Sequence, residues 1–257
     1  MTTRLSTGLR DGLVGTMGFQ GLLGRGYIGI YSGSQPASAD SPVTGTLLGK
    51  VTAASGALTQ ETQASQTITI AGASGSINSV LINTLNIIPD GTVAFRTDVN
   101  TTASDLCDAI NRNGIFTATV ASAVVTVRPR PGAGAAFNAY TISTTVTTLT
   151  ATVGAGTLNL TTGIAAVNGL LFSAPNTGVL SKSPLQVWSF NGITAGTAGW
   201  ARFYGQPTDD GSTTSLILPR LDGSVATSGG DFNLSNIVVA SGVPNTVDTF
   251  TWTQPAS

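Results

Sequence analysis

Residues 27–40 read Tyr27-Ile-Gly-Ile-Tyr-Ser-Gly-Ser-Gln-Pro-Ala-Ser-Ala-Asp40, a short strand pattern that runs into a turn. The aromatic and β-branched side chains from Tyr27 to Tyr31 predict a strand. Pro36 prevents that strand from continuing, because proline has no backbone N–H to donate to a neighbouring strand. After Gly45, residues Thr46 to Thr52 predict a second strand. The fold is therefore expected to begin with β-structure.

Upstream of these strands, an apolar side chain recurs at every fourth position, at Leu5, Leu9, Leu13 and Met17. This spacing predicts an N-terminal helix from Arg4 to Met17 with one apolar stripe. Glycines recur through the segment, and each costs about 1 kcal/mol relative to alanine in a helix interior. The helix is therefore expected to depend on packing. Its stripe lies either on its own domain or on a neighbouring subunit, and assembly into a lattice would favour the neighbour.

The composition removes most catalytic chemistry. The 257 residues include no histidine, one glutamate (Glu61), one cysteine (Cys107) and two lysines (Lys50 and Lys182). Without histidine, neither a Ser/His nor a Cys/His nucleophile pair can form. Cys107 cannot form an internal disulfide, and it falls in a predicted helix, where burial as a small hydrophobe is expected. We therefore predict no catalytic residues, no cofactor and no bound metal.

The chain is also poor in charge. Charged residues make up 9% of it, against about 25% in ordinary soluble domains, while a hydrophobic content of 41% excludes disorder. A surface rich in Thr, Ser, Asn and Gly suits a protein packed against neighbours. The net charge of −1 leaves no basic field for nucleic acid, and no apolar run is long enough to span a membrane.

From about residue 64 to residue 152 the pattern changes to six short β runs with one helix among them. The helix is predicted over Asn100 to Asn113, with a capping residue at Asn100 or Thr101 and a stop at Gly114. Strands and a single helix together predict a compact α+β module. The β runs lie at 67–70, 79–83, 92–96, 116–120, 124–127 and 140–142.

After Gly154, short strands recur at regular spacing, separated by Asn-Gly, Asp-Gly and Gly-Gly turns. Such spacing predicts an antiparallel β-sandwich. The chain is therefore predicted to be mainly β. A discontinuous β-sandwich domain of residues 1–63 and 153–257 carries the N-terminal helix, and residues 64–152 form a small inserted α+β domain. Insertion is tolerated because the cost of closing a loop grows only slowly with its length.

Three regions outside the insertion resemble a type of virion structural protein of tailed bacteriophages. They are Ile28 to Asp40 followed by Thr44-Gly-Thr-Leu-Leu-Gly49; Ala198-Gly-Trp-Ala-Arg-Phe203; and Asp222-Gly-Ser-Val-Ala-Thr-Ser-Gly-Gly-Asp231 with the strand Asp248 to Trp252. The resemblance implies a structural part and not an enzyme.

The insertion resembles the small module of flagellar cap proteins and of many phage tail and baseplate proteins. The matching residues are Asp105-Leu106, Ala109-Ile110-Asn111, the hairpin Phe116 to Val127, and Gly132 to Ala136 before Asn138-Ala-Tyr140. This likeness implies a projecting structural or contact module.

Aspartates are the remaining candidates for acid chemistry or metal binding. Asp209-Asp210-Gly211-Ser212 offers oxygens from a tight loop, as calcium requires, but an Asp-Gly step is typical of a turn. Glycoside hydrolysis needs two acids that flank the bond, and the one glutamate, Glu61, stands in a Thr/Gln/Ser linker. We therefore interpret the aspartates as turn residues. The others beside turns are Asp40, Asp90, Asp222 and Asp231.

Three further patterns have both a functional and a structural interpretation. Gly21-Leu-Leu-Gly-Arg-Gly26 lacks the Gly-Lys-Ser/Thr of a phosphate loop and predicts a turn into a strand. Arg128-Pro-Arg-Pro131 places two guanidinium groups at a hairpin edge, either as a solubilised strand end or as a contact for a carboxylate or glycan. Three tryptophans alternate with polar neighbours, which favours core positions over a sugar-binding surface. They are Trp188, Trp200 and Trp252.

Together these features predict a non-enzymatic structural component of a tailed-phage virion. An outer-surface decoration protein of the capsid is preferred, because a small sandwich with a docking helix and an outward module suits repeated placement on a shell. The alternative is a tail accessory, baseplate or fibre protein with a receptor-binding or adhesion role, to which Arg128 and Arg130 would contribute. A secreted bacterial surface protein is compatible with the same composition. The expected partners are major capsid or tail proteins and other copies of the chain.

Overall fold

The structure is a computed structural model that describes residues 3–15, 17–153, 162–206 and 208–254. The chain divides into two compact units. The first, which we call the barrel unit, is Met1–Glu61 with Ala166–Ser257, and the second, the inserted unit, is Thr62–Ala165. The sequence pattern predicts these two divisions at 63/64 and 152/153.

Strands dominate the described residues, so the prediction of a mainly β chain is confirmed. The helices are α1 (Thr7–Gly15), α2 (Phe19–Leu23) and α3 (Val99–Asn111), and Gly134–Phe137 forms a 3₁₀ turn. The strands, in chain order, are β1 (Arg4–Leu5), β2 (Tyr27–Ser32), β3 (Leu47–Ala53), β4 (Gln66–Ala71), β5 (Ser76–Ile82), β6 (Leu85–Asn86), β7 (Val93–Ala94), β8 (Phe116–Ala121), β9 (Val124–Pro129), β10 (Ile142–Thr147), β11 (Thr150–Val153), β12 (Val179–Ser181), β13 (Trp188–Asn191), β14 (Gly196–Tyr204), β15 (Arg220–Ala226), β16 (Phe232–Leu234), β17 (Val238–Val239), β18 (Pro244–Thr249) and β19 (Thr251–Thr253).

Seven strands of the barrel unit close into a hydrogen-bonded ring. Around the ring the order is β2, β3, β13, β18, β16, β15 and β14, and β14 pairs back onto β2. The β15–β16 pair is parallel and the other six pairs are antiparallel. The predicted sandwich is not confirmed, because continuous pairing through β14 makes this arrangement a closed barrel. The short strands β1 and β17 add to the ring at β15 and β14.

Four aromatic rings fill the centre of the barrel unit. Phe172, Trp188, Phe203 and Phe250 contact one another in all six pairwise combinations, with ring centroids 5.6 to 5.9 Å apart. All four side chains are buried. Aromatic contacts at these distances are stabilising in addition to the apolar area that they bury. Trp188 is therefore a core residue, as the sequence predicts.

The N-terminal segment belongs to the barrel unit's own core. Leu9 of α1 is fully buried within it, and Leu5, Leu13 and Met17 pack against it. The helix is shorter than the predicted Arg4 to Met17, because Arg4–Leu5 pairs as β1 with Leu221 and Asp222 of β15. The predicted stripe exists, but it is covered by its own unit, so a neighbouring subunit is not needed to bury it.

The inserted unit contains two four-stranded sheets and α3 around one core. One sheet has the order β11, β4, β9, β8; in the other, β10, β6 and β7 all pair with β5. Helix α3 contacts β4, β8 and β9 of the first sheet. All six predicted β runs overlap observed strands, and α3 lies close to its predicted position. The helix begins earlier than predicted, because Asp98 caps it by accepting a hydrogen bond from the Thr101 N–H at 2.8 Å.

The chain leaves and re-enters the barrel unit at neighbouring points. Thr59 and Val167 form an antiparallel bridge and exchange both backbone hydrogen bonds, at 3.1 and 3.0 Å. Such a pair holds its Cα atoms about 5.5 Å apart. The barrel unit therefore brings together the two segments that lead to the insertion.

Candidate functional site

Strands β2, β14 and β15 bury side chains on both faces, which creates a second packed layer outside the barrel core. Ile28, Ile30, Ala201 and Phe203 face the core. Alternate residues point the opposite way, as successive strand side chains do. Seven of these outward residues are nevertheless at most 4% exposed. We call them, with Asp209, the polar layer: Tyr27, Tyr31, Trp200, Arg202, Tyr204, Asp209, Arg220 and Asp222.

Two loops cover the polar layer. The loop between β2 and β3 accepts a hydrogen bond from Arg202 Nη1 at the Ser41 carbonyl, 2.9 Å away. The loop that precedes β15 accepts one from Arg220 Nη1 at the Thr213 carbonyl, at 3.1 Å. The loops also bond to each other, since Val43 N–H donates to the Gly211 carbonyl at 3.0 Å. The arginines thus fasten both loops to the barrel wall.

Two buried ion pairs form the centre of this layer. Arg202 holds Asp222 through Nε and Nη2 at 2.6 and 2.8 Å, and both side chains are fully buried. Arg220 makes the same bidentate contact with Asp209 through Nε and Nη2, also at 2.6 and 2.8 Å. Burial alone would lower the pKa of Arg202, but the hydrogen bonds and charge of Asp222 outweigh it and hold that pKa above its ordinary value. The guanidinium is therefore charged, and a buried charge requires its partner.

The strand register explains the first pair. Arg202 of β14 lies directly opposite Asp222 of β15, and on its other side it lies opposite Gly29 of β2. A side chain at Gly29 would overlap the Tyr31 ring, whose Cε2 lies 2.7 Å from the position of an added Cβ. The missing side chain therefore leaves room for the Tyr31 ring in the layer.

Three tyrosines complete the polar layer. The Tyr31 and Tyr204 hydroxyls are 2.6 Å apart, and the Tyr27 hydroxyl donates to the Asp209 carbonyl at 2.8 Å. The Tyr27 ring stacks on Tyr204, and the Tyr31 ring stacks on Trp200, at centroid distances of 4.5 and 4.7 Å. Burial raises the pKa of all three phenols. Each hydroxyl is thus held in its protonated form.

Alkaline pH is expected to destabilise the barrel unit because of these phenols. Their folded pKa lies above the unfolded value of about 10, so the stability they contribute is complete below that pH and falls as the pH rises towards the folded values. Above about pH 10, each phenol lowers the free energy of unfolding by about 1.4 kcal/mol per pH unit. Urea unfolding at about pH 8.5, 10 and 11 measures the slope.

Tyr31→Phe provides the control for this prediction, because it removes one of the three titrating groups. The slope above pH 10 should fall by about one third in the variant. An unchanged slope, or a free energy of unfolding that stays constant up to about pH 11, would show that the phenols are not responsible.

The segments that carry the phage resemblance meet in this layer. Tyr31 comes from the first segment, Trp200 and Arg202 from the second, and Asp222 from the third. This assembly was not predicted from the sequence, because Asp222 was interpreted as a turn residue and Arg202 was not assigned a partner. A signal was present in β14, where aromatic and charged residues alternate with apolar ones. Apolar inward residues and aromatic outward residues are typical of a strand covered on both faces.

The turn predicted at Asp209–Ser212 is present, whereas Asp222 lies within β15 and not beside a turn. Asp209 accepts from the Gly211 N–H and Asp210 from the Ser212 N–H, at 2.8 and 2.9 Å, which is the turn that an Asp-Gly step predicts. Asp231 accepts from the Ser224 N–H and hydroxyl, both at 2.8 Å. In the described part of the chain, no three His, Cys, Asp or Glu side chains are grouped to hold a metal ion.

Other predicted acids also have structural roles. Asp40 accepts from the backbone N–H and hydroxyl of Thr7, at 2.7 and 2.8 Å, and so caps α1. Asp90 pairs with Arg112 on the surface of the inserted unit. Glu61, in the Thr/Gln/Ser-rich stretch, is buried and only 1% exposed. Its backbone N–H donates to Gln206 Oε1 at 3.2 Å.

The arginine pair does not stand away from its hairpin. Arg130 donates through Nε to the Gly114 carbonyl at 2.5 Å, and Arg128 donates to the Thr119 hydroxyl at 3.1 Å. A second donor of Arg130 reaches the Asn111 carbonyl at 3.5 Å, at the C-terminal end of α3. A cation at that end of a helix is favourable. Arg130 is thus a structural contact, against the expectation that both guanidinium groups project.

The remaining predictions agree with the structure at Trp200 and Cys107 and differ from it at Trp252 and Gly21–Gly26. Trp200 and Cys107 are buried as expected, and burial raises the pKa of the Cys107 thiol. Trp252 is only half-buried. Gly21–Gly26 does not form a simple turn, because its first part lies in α2, which the sequence analysis missed. Gly26 then lies so close to the Tyr204 carbonyl that a Cβ would be 1.8 Å from the oxygen.

No protein-family model, curated protein or solved structure matches this chain. Among the described residues, no helix is both long enough and apolar enough to cross a membrane.

Proposed function

We propose that this chain is a non-enzymatic structural component of a tailed-phage virion, and within it an outer-surface decoration protein of the capsid. The observation that carries the proposal is the convergence of the three resembling segments on one buried layer. Residues that are separated by up to about 190 positions in the chain meet there. The three segments therefore belong to one structural scaffold and are not three unrelated sequence motifs.

The location of the charges supports a structural role. Four of the 23 charged residues are buried as the pairs Arg202–Asp222 and Arg220–Asp209. The aspartates that were candidates for catalysis at Asp209 and Asp222 are therefore held by arginines inside the fold. An acid catalyst must reach its substrate within hydrogen-bond distance, and these two carboxylates are 7% and 0% exposed at the residue level. The burial of these four charges lowers the charge of an already charge-poor surface further, which suits packing among neighbours.

Immunogold labelling of particles from the phage or prophage that encodes this chain tests the proposal. Antibodies against the purified protein should place gold over the heads, and particles from a strain that lacks the gene should remain unlabelled. Gold confined to tails would overturn the capsid location in favour of the tail accessory, baseplate or fibre alternative. Intact particles without gold, together with no band for the protein in denatured particles, would overturn the virion role altogether.

A further inference from the structure

The barrel unit has an open groove that the polar layer does not involve. The groove has a volume of about 660 Å³, within the usual range of ligand sites. Its walls come from α1 and α2 on one side and from the β12–β19 sheet on the other. Leu13, Phe19, Leu180 and Trp252 provide its apolar lining.

Trp252 forms a fixed aromatic platform in this groove. Its ring stacks on Phe19 with the centroids 4.5 Å apart and the planes 15° from parallel. Phe19 is 6% exposed and also contacts Phe172 and Phe250 of the barrel core, at 5.9 and 6.4 Å. The platform is therefore anchored on the core, while the half-buried Trp252 remains accessible from the groove.

The polar groups of the groove are neutral, and they are available for binding. Gln20 and Gln254 line it and are exposed. No described group hydrogen bonds to either side-chain amide or to the indole N–H of Trp252. None of the described residues that line the groove is charged. The groove thus combines an aromatic face with hydrogen-bond donors and acceptors, and it offers no counter-ion to a charged ligand.

We infer that this groove binds a neutral glycan. A sugar ring has an apolar C–H face that packs on an aromatic ring, and its hydroxyls both donate and accept hydrogen bonds. Trp252 supplies the stacking surface, and the amides of Gln20 and Gln254 supply partners for the hydroxyls. An anionic or cationic ligand fits less well, because desolvating its charge would not be compensated here. The inference does not depend on the proposed virion role, since the purified chain is sufficient to test it.

Binding is tested with neutral hexaoses of glucose, N-acetylglucosamine, galactose and mannose, by calorimetry and by tryptophan fluorescence. Trp188 and Trp200 are fully buried, so a ligand-dependent change in emission reports mainly on Trp252. At least one hexaose should bind, and Gln20→Ala with Gln254→Ala should weaken it about tenfold, from the loss of two hydrogen bonds. The two glutamines are exposed, so the unfolding transition of this double variant should match that of the parent.

Thr251→Ala is the matched control. Thr251 lies on the same strand as Trp252 but faces the opposite side of the β12–β19 sheet, and it is exposed. It should bind the hexaose as the parent does. The inference is overturned if no hexaose binds at millimolar concentration, or if the glutamine variant and Trp252→Phe bind as tightly as the parent. It is also overturned if these changes alter only self-association in sedimentation, which would make the groove a contact between copies of the chain.

Discussion

Asp222→Ala is expected to lower the free energy of unfolding of the barrel unit by about 3–5 kcal/mol. The reason is the position of its partner. Arg202 is fully buried and makes two of its hydrogen bonds to this carboxylate, so the variant leaves a guanidinium inside the fold without an anion. All three tryptophans lie in the barrel unit, and their fluorescence in a urea titration therefore reports the unfolding of that unit alone.

Two variants make the measurement specific. Asp248→Ala removes an exposed aspartate from the same unit and should change the free energy of unfolding by less than about 0.5 kcal/mol. Arg202→Met with Asp222→Leu removes both charges together, and it should recover most of the loss, because an apolar pair of similar volume often replaces a buried ion pair without cost. If Asp222→Ala lowers the free energy of unfolding as little as Asp248→Ala does, the Arg202–Asp222 pair does not stabilise the polar layer.

Removal of residues 1–20 is expected to abolish cooperative unfolding of the barrel unit. The deletion takes away β1, which pairs with β15, and it takes away Leu9 and Phe19 from the core. Leu9→Ala alone should cost about 2–5 kcal/mol as a cavity in a fully buried position. Since whole domains are stable by only about 5–15 kcal/mol, the complete deletion should leave little or no folded population.

Val14→Ala is the control for this prediction. Val14 lies on α1 like Leu9, but it is 92% exposed, so its truncation should leave the urea midpoint nearly unchanged. Tryptophan fluorescence in a urea titration measures the unfolding of the truncated chain, of Leu9→Ala and of Val14→Ala. A truncated chain that still unfolds cooperatively would show that the N-terminal segment is dispensable for the fold, and it would restore the interpretation of this segment as an arm for a neighbouring subunit.

Local patterns predicted the inserted unit well. Its strands are hydrophobic at alternate positions and its helix ends near a glycine. Most of its strands and its helix are therefore specified by residues that are close together in the sequence. The cap of α3 was missed because Asp98 stands just outside the periodic segment, before Val99. β11 was missed because Thr150–Val153 is short and follows β10 closely.

The barrel unit was harder to predict, because its decisive contacts join distant residues. The two-residue strand β1 exists through its pairing with β15, more than 200 positions away. α2 has only five residues and contains a glycine, so its tertiary packing outweighs a weak local signal. Closure of the ring through β14 and β15, and with it the difference between a sandwich and a barrel, depends on strand pairing that spacing along the chain does not specify.

The bridge between Thr59 and Val167 makes this junction a favourable point for exchanging domains. These residues satisfy each other's backbone groups where the chain leaves the barrel unit and where it returns. Because the two ends of the insertion lie close together there, we expect that another domain with adjacent termini can replace residues 62–165 while the barrel unit keeps its fold.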